Sequence, residues 1–309
     1  MRRLGSVALL MMVVVVPGVV PDAAAKEKGK APEIQKLSPL ESASLLASYS
    51  SEVRSKQRQM SPDVVLEDHW NWEFVIPLAG NTPGSRGTYF RSDVTFANQH
   101  FDRAQRVALY FLPAGTDNNN AQGFAIELDP GEVFTLRDLV GELNITGLGT
   151  LLVFGIKSSN ELDQLAAIDG YSRVWTPESG NPSATASAQF NAARPDLLEG
   201  WSTAIAIGLR NDPGFRTNIG VVNLSSIPRT WNAALVGESG GFNELSITVP
   251  PLSVIHLSAG SADVGNGFAV FELQGDPTGV KWLAYGTTND NVSGDGWVSF
   301  ATRQREDAP

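Results

Sequence analysis

The side chains most able to bind an ion lie in one short segment near the C-terminal end of the chain. Oxygen-bearing side chains occupy every second position there, as Asn289, Asn291, Ser293 and Asp295. This spacing, with Gly294 at the sixth position, is typical of a calcium loop, but a calcium loop also ends with a bidentate Glu at the twelfth position. Phe300 occupies that position, and the first, third and fifth positions carry no carboxylate. The segment therefore predicts a tight turn, with a weak calcium site as the alternative.

A second motif could supply a nucleophile. Residues 237–241 read Gly-Glu-Ser-Gly-Gly, the pattern of a nucleophile elbow, in which a sharp turn between a strand and a helix exposes the serine. Here a further run of β-favoured residues follows from Leu245, and the upstream histidines His69 and His100 lack the setting of a serine protease. The motif therefore predicts a hairpin loop around Ser239, and an unrecognised hydrolase is kept as an alternative function.

The supply of metal-ligating and redox-active side chains is small. The chain has no cysteine and three histidines, which excludes disulfides, a thiolate nucleophile and a zinc ribbon. The histidines are too scattered for a metal centre, and His256 alternates with apolar neighbours in a strand-like run. We therefore expect no cofactor, no metal centre and a sheet histidine at position 256.

The first 25 residues have the pattern of a secretory signal peptide. Arg2 and Arg3 precede an apolar run at residues 7–16, and small residues at 23–25 form a cleavage site. Cleavage after Ala25 predicts a secreted or periplasmic protein without a transmembrane segment. An uncleaved anchor is the alternative, although the apolar run is shorter than the roughly 20 residues that span a bilayer.

Charge divides the remaining chain. Residues 26–58 carry seven basic and four acidic side chains, whereas residues 59–309 carry 14 basic and 28 acidic ones. Such an acidic body disfavours nucleic acid and anionic membrane surfaces as partners. Within the basic segment at 26–71, Ser38 and Glu41 form a capping box around Pro39, and apolar residues follow at helical spacing. This predicts a helix at about residues 39–58, packed on the next domain or contacting another protein.

An internal repeat organises residues 72–303. Residues 90–98 match residues 215–223, residues 128–136 match 249–257, and residues 147–149 match 265–267, in the same order. Each copy contains several short, β-favoured runs bounded by turn residues, which is typical of a β-sandwich. We therefore predict an all-β protein with two tandem, immunoglobulin-like β-sandwich domains after one N-terminal helix. The predicted bounds are 72–177 for copy 1, 178–200 for a linker, 201–303 for copy 2 and 304–309 for a tail.

The repeated strand also carries the candidate binding residues. Arg91 and Asp93 lie two positions apart, hence on one face of the strand, and Arg216 and Asn218 hold the equivalent positions in copy 2. They form either a binding surface or cross-strand polar pairs that determine register. Exposed tryptophans that stack on sugars would instead indicate a carbohydrate-binding protein.

The repeat resembles an uncharacterised bacterial family of secreted β-sandwich repeats. That family combines an aromatic-Arg-Thr-Asp/Asn strand ending in Asn, a Pro-rich turn, and a late Asp-Asn-x-Thr-Gly-Asp segment. Copy 2 has all three, at residues 215–223, 250–251 and 290–295, with Ser for Thr, whereas copy 1 has lost the third. The resemblance implies an exported tandem sandwich and no catalytic residues. We therefore expect a non-catalytic binding or structural protein of the bacterial envelope, with an unknown protein or glycan as partner.

Overall fold

In the computed structural model, most of the described residues lie in strands and few lie in helices. The structure describes residues 32–56, 72–84, 87–178, 181–238 and 240–303. Its strands form three antiparallel sheets, which confirms the predicted all-β class. The predicted signal peptide at 1–25 and tail at 304–309 lie outside the described residues.

Two helices and two groups of strands make up the described part of the chain. The helices are α1 (Pro39–Lys56) and α2 (Leu139–Glu142). The first group of strands is β1 (Gln35–Lys36), β2 (Glu73–Pro83), β3 (Tyr89–Asn98), β4 (Gln105–Pro113), β5 (Gly123–Leu128), β6 (Val133–Leu136), β7 (Gly147–Ile156), β8 (Ile168–Glu178) and β9 (Asn181–Asn191). The second group is β10 (Thr203–Asn211), β11 (Phe215–Asn223), β12 (Arg229–Gly237), β13 (Phe242–Val249), β14 (Ser253–Ser258), β15 (Gly265–Leu273), β16 (Trp282–Asp290), β17 (Gly296–Phe300) and β18 (Thr302–Arg303).

The first group of strands forms one nine-stranded sheet that divides into two layers. Layer A has the order β1-β5-β4-β7-β2, and layer B has the order β6-β3-β8-β9. The two layers are joined between β2 and β3, where Thr82 pairs with Phe90 and Pro83 pairs with Tyr89. Their facing apolar side chains form the core of the first half.

The second group repeats this strand order in two further sheets. Layer C has the order β13-β12-β15-β10-β18, and layer D has the order β14-β11-β16-β17, so β10 to β17 occupy the positions of β2 to β9. A register shift falls at the equivalent place in each half, between Ile76 and Ala79 of β2 and between Ile207 and Leu209 of β10. The three sequence matches all fall on equivalent strands, so the topology agrees with the internal repeat.

Helix α1 begins where its capping box predicts. The backbone N–H of Ser38 donates to Glu41 Oε2 at 2.9 Å, and the N–H of Glu41 donates to Ser38 Oγ at 3.2 Å. The helix covers the outer face of layer A, where Tyr49 stacks on Phe154 with ring centroids 5.1 Å apart and Tyr110 Oη donates to the carbonyl of Ser42 at 2.8 Å. Neither described helix combines enough length with enough apolar residues to cross a membrane.

The two halves share buried surface through layer D. Trp231 and Trp282 are fully buried between layers C and D, with ring centroids 5.7 Å apart. Part of the opposite face of layer D is buried too, because Val222, Leu283 and Tyr285 belong to the core of the first half. Layer D therefore packs against layer C on one side and against the first half on the other.

The predicted linker at 178–200 is wrong at residues 181–191. Residues 181–191 form β9, which pairs with β8 from Tyr171 opposite Asn191 to Pro177 opposite Thr185. Its Ser-, Ala- and Asn-rich composition favoured an irregular crossing, but the side chains alternate with a period of two. Phe190 points inward and meets the ring of Tyr285 edge-on at 5.5 Å. Pairing with β8 and packing on layer D together make this segment a strand.

Candidate functional site

The outer face of layer B brings aromatic and charged side chains close together. Phe90, Ser92 and the other even-numbered residues of β3 point into the core, so the odd-numbered residues point out. The outward side chains of β8 lie beside them in register. The layer B face is defined by Tyr89, Arg91, Asp93, Tyr171, Arg173 and Trp175.

Arg91 contacts two aromatic rings of this face. Its guanidinium carbon is 5.4 Å from the ring centroid of Tyr89 and 5.8 Å from that of Trp175, its register partner on β8. Its Nε is 3.4 Å from Asp138 Oδ2, with the Arg91 side chain 41% exposed. An ion pair this exposed adds under about 1 kcal/mol to stability, so its main effect is to hold the guanidinium against the two rings.

Asp93 has a structural task on the same face. Its Oδ1 accepts the backbone N–H of Asp138 at 3.1 Å, and Asp138 precedes α2 in a left-handed conformation with φ 47°. Asn81 Nδ2 donates to Asp138 Oδ1 at 3.2 Å. Burial raises the pKa of Asp138, while the positive charge of Arg91 opposes that rise. Asp93 therefore anchors the segment that supplies the carboxylate to Arg91.

Arg173 and Tyr171 complete the layer B face. Arg173 is the register partner of Asp93, and its Nη2 donates to the hydroxyl of Thr185 on β9. Tyr171 is 37% exposed. It lies four residues before Trp175 on the same side of β8, a separation of about 13 Å. The face thus presents the rings of Tyr171 and Trp175 four residues apart on β8, with the guanidinium group of Arg173 between them and that of Arg91 opposite Trp175 on β3.

The equivalent residues of the second half have different surroundings. Arg216 is exposed, and its Nη1 donates to Asn291 Oδ1 at 2.9 Å. It lines a surface pocket of about 290 Å³ together with Asp212 and Asp263.

In the first half the connection between β6 and β7 contains α2, whereas the equivalent connection between β14 and β15 contains no helix. Half-buried Asn218 lies on the same strand, outside the pocket lining. The four predicted residues therefore belong to two places, on layers B and D.

The calcium candidates lie in the tight turn between β16 and β17. Asn291 Oδ1 accepts the bond from Arg216, Ser293 Oγ accepts the N–H of Asp295 at 3.2 Å, and Asp295 Oδ1 accepts the N–H of Ser187 at 3.3 Å. These oxygens are thus engaged by protein donors. Asn289 pairs with Gly296 at the base of the hairpin. No group of three or more His, Asp or Glu suited to a metal occurs among the described residues.

The Gly-x-Ser-x-Gly motif connects two paired strands. Ser239 itself lies outside the described residues. On either side of it, β12 and β13 are antiparallel neighbours with Val236 opposite Phe242. A nucleophile elbow joins a strand to a helix, so the strands flanking this motif do not have that arrangement.

His256 is a satisfied sheet histidine. Its Nδ1 is 3.2 Å from Tyr285 Oη, and the two rings stack with centroids 5.7 Å apart. Burial lowers the pKa of His256 to about 4, because desolvation disfavours the charged imidazolium. The group is therefore neutral at pH 7.

Sequence reasoning did not place Tyr89, Tyr171, Arg173 and Trp175 together in a site, and it considered Trp175 only among the tryptophans that could stack on sugars. The period-two pattern of β8 carries part of the signal, since it places the last three on one face. The missing information was the pairing of β3 with β8, which sets Arg91 opposite Trp175. The first tryptophans of the two repeat copies differ in burial: Trp72 is 8% exposed, and Trp201 is half-buried.

Comparison with known proteins identifies no relative from which a function could be proposed. No protein-family model matches this chain, and no curated protein matches it significantly.

Proposed function

We propose that this chain is a non-catalytic, exported protein of the bacterial envelope or extracellular space that binds a polysaccharide on the layer B face. In this proposal, layers A and B form one immunoglobulin-like domain, and layers C and D form a second. The repeated strand order supports the tandem arrangement. The pattern of residues 1–25 supports export.

One observation carries the binding proposal: Arg91 lies against the rings of Tyr89 and Trp175 on an uncovered sheet face. Aromatic ring faces stack on the apolar C–H faces of sugars. Planar guanidinium groups can donate to two neighbouring hydroxyls or to a carboxylate. Contacts that immobilise Arg91 before binding reduce the conformational entropy lost on binding.

The length of the surface fits an extended ligand. Tyr171 and Trp175 are separated by about 13 Å along β8, which is the length of a short oligosaccharide segment. Gln189 and Asn191 of β9 lie beside β8, opposite Arg173 and Tyr171, and add amide groups along the same line. The face therefore offers a strip of stacking and hydrogen-bonding groups.

Affinity electrophoresis on a panel of neutral and acidic polysaccharides tests this proposal. We expect at least one polysaccharide to retard the protein and Tyr171→Ala to weaken retardation about tenfold, as for loss of an interface aromatic. Phe101→Ala is the matched control, since Phe101 is 87% exposed and lies in the loop after β3, outside the residues that define the layer B face.

Two results would contradict the proposal. Equal retardation of the folded wild type and Tyr171→Ala on every polysaccharide would remove the layer B face as the binding surface. Release of new reducing ends during the same incubation would favour the hydrolase alternative.

A further inference from the structure

The outer face of layer C carries a continuous apolar patch. Phe242, Val236, Phe268 and Ile207 are direct register partners across β13, β12, β15 and β10, so they form one row on one face. Phe242 is 56% exposed, Phe268 37% and Ile207 71%. In the part of the chain that the structure describes, no element covers this row.

A second row extends the patch. Ala234, Val270 and Ile205 are register partners two residues further along the same strands. The two rows together are called the layer C patch. Single exposed apolar residues are common on protein surfaces, but a contiguous patch over four strands marks an interaction site.

The first half shows which element fits this face. By the strand equivalence, Ala234 and Val270 hold the positions of Tyr110 and Leu152, which are register partners in layer A and fully buried. Helix α1 covers that face of layer A, and Tyr110 Oη donates to the carbonyl of Ser42. An amphipathic helix is therefore the cover that the same architecture uses in this chain.

Acidic side chains beside the layer C patch favour a helix with basic side chains. Glu244 is the register partner of Ala234 at one side of the second row, and Glu272 lies two residues beyond Val270 on the same face. Exposed Glu238 follows β12 in the turn beside the first row. These carboxylates favour a ligand with basic flanks and disfavour a second copy of this chain, which would bring like charges together.

From these observations we infer that the layer C patch binds an amphipathic helix of a partner protein, with its apolar stripe on the two rows and Lys or Arg along its edges. The binding mode is that of a helix on a hydrophobic surface, with anchors at helical spacing. This inference does not depend on the proposed polysaccharide binding, because layers B and C are different surfaces.

Synthetic helical peptides test the inference on the full mature chain. Three peptides have the 18-residue length of α1 and the same number of leucines. The first has a stripe of Leu flanked by Lys, and the second has the same stripe flanked by Glu. The third has the residues of the first in scrambled order. In fluorescence anisotropy titrations we expect the Lys-flanked helix to bind about tenfold or more tightly than the Glu-flanked helix, and the difference to shrink at high salt.

Two variants locate the binding. Ile207→Glu should weaken the Lys-flanked helix about tenfold, since it places a charge in the apolar row. Ser246→Glu adds the same charge on the same face outside the patch, at an exposed position of β13, and should leave the affinity unchanged or slightly higher. Polysaccharide retardation should be equal in both variants.

Three outcomes would overturn the inference. The first is that none of the peptides binds the folded wild type. The second is that Ile207→Glu and Ser246→Glu bind the Lys-flanked helix equally well. The third is that the wild type is a dimer that Ile207→Glu converts to a monomer, because the occupant would then be a second copy of the chain.

Discussion

Asn98 and Asn223 make the same hydrogen bonds in the two halves of the chain. Each is the last residue of the repeated strand. Asn98 Nδ2 donates to the carbonyl of Asp129 in the turn before β6, and Asn223 Nδ2 donates to the carbonyl of Pro250 in the turn before β14, both at 3.0 Å. A second bond from each Nδ2 reaches the loop after the strand, at 2.9 and 2.8 Å. Each Oδ1 accepts the backbone N–H two residues on, at 3.0 Å. The repeated Asn therefore ties together two connections that lie next to the end of its strand.

Loss of either amide should destabilise the protein strongly. Asn223 is fully buried, so Asn223→Ala leaves several buried carbonyl and N–H groups without their partner. We expect the free energy of unfolding in urea to fall by about 2–4 kcal/mol. Asn98→Ala should lower it by a similar amount. Asn120→Ala, in the exposed loop between β4 and β5, is the control and should change it by less than about 0.5 kcal/mol. Equal stabilities for Asn223→Ala and Asn120→Ala would contradict this assignment.

The two halves should unfold together. Phe190 packs on Tyr285, and Asn118 Nδ2 donates to the carbonyl of Leu252 at 2.8 Å, so both apolar and polar contacts cross the junction. Differential scanning calorimetry should show one transition, and Phe190→Ala should cost about 3–5 kcal/mol through the cavity it leaves. Two separate transitions in the wild type, or proteolysis within residues 183–193 that releases two stable halves, would show independent domains.

Stability should depend on the ionisation of His256 between pH 7 and pH 4. Its pKa is about 4 in the folded state and about 6.5 in the unfolded state. The unfolded state therefore binds the proton more readily, so stability is highest above pH 6.5 and falls as the pH drops towards 4, by up to about 3 kcal/mol.

Urea unfolding at pH 7 and pH 4.5 measures this effect. His256→Gln removes the titrating group, so its loss of stability between the two pH values should be smaller than that of the wild type by about 2 kcal/mol. Carboxylates titrate in both proteins, and their effect cancels in the comparison. Identical pH dependence of the two proteins would show that burial does not shift the pKa of His256.

Calcium should leave the stability of the protein unchanged. The candidate oxygens of Asn291, Ser293 and Asp295 accept hydrogen bonds from protein donors, and a ligand stabilises a protein only if it binds the folded state. We expect the same Tm with excess calcium and with a chelator. A rise in Tm with calcium that Asp295→Asn abolishes would instead establish a weak site in this turn.

Local sequence was sufficient for the features that depend on neighbouring residues. The capping box of Ser38 and Glu41 predicts the start of α1, because both partners lie within one turn. The period-two runs and their turn residues predict the all-β class, and the three matched segments predict equivalent strands in the two halves. Each of these signals can be read from short segments of the sequence without knowing which segments are in contact.

Features that depend on contacts between distant residues were decided by the tertiary structure. The Ala- and Ser-rich residues 181–191 have little strand propensity and become β9 by pairing with β8 and packing on layer D. The layer B face exists because β3 pairs with β8, and the layer C patch exists because β10, β12, β13 and β15 align their apolar residues in register. The residue pattern of a strand predicts which of its side chains share a face, but it does not predict which strand pairs with it. That pairing is determined by the burial of apolar surface across the whole chain.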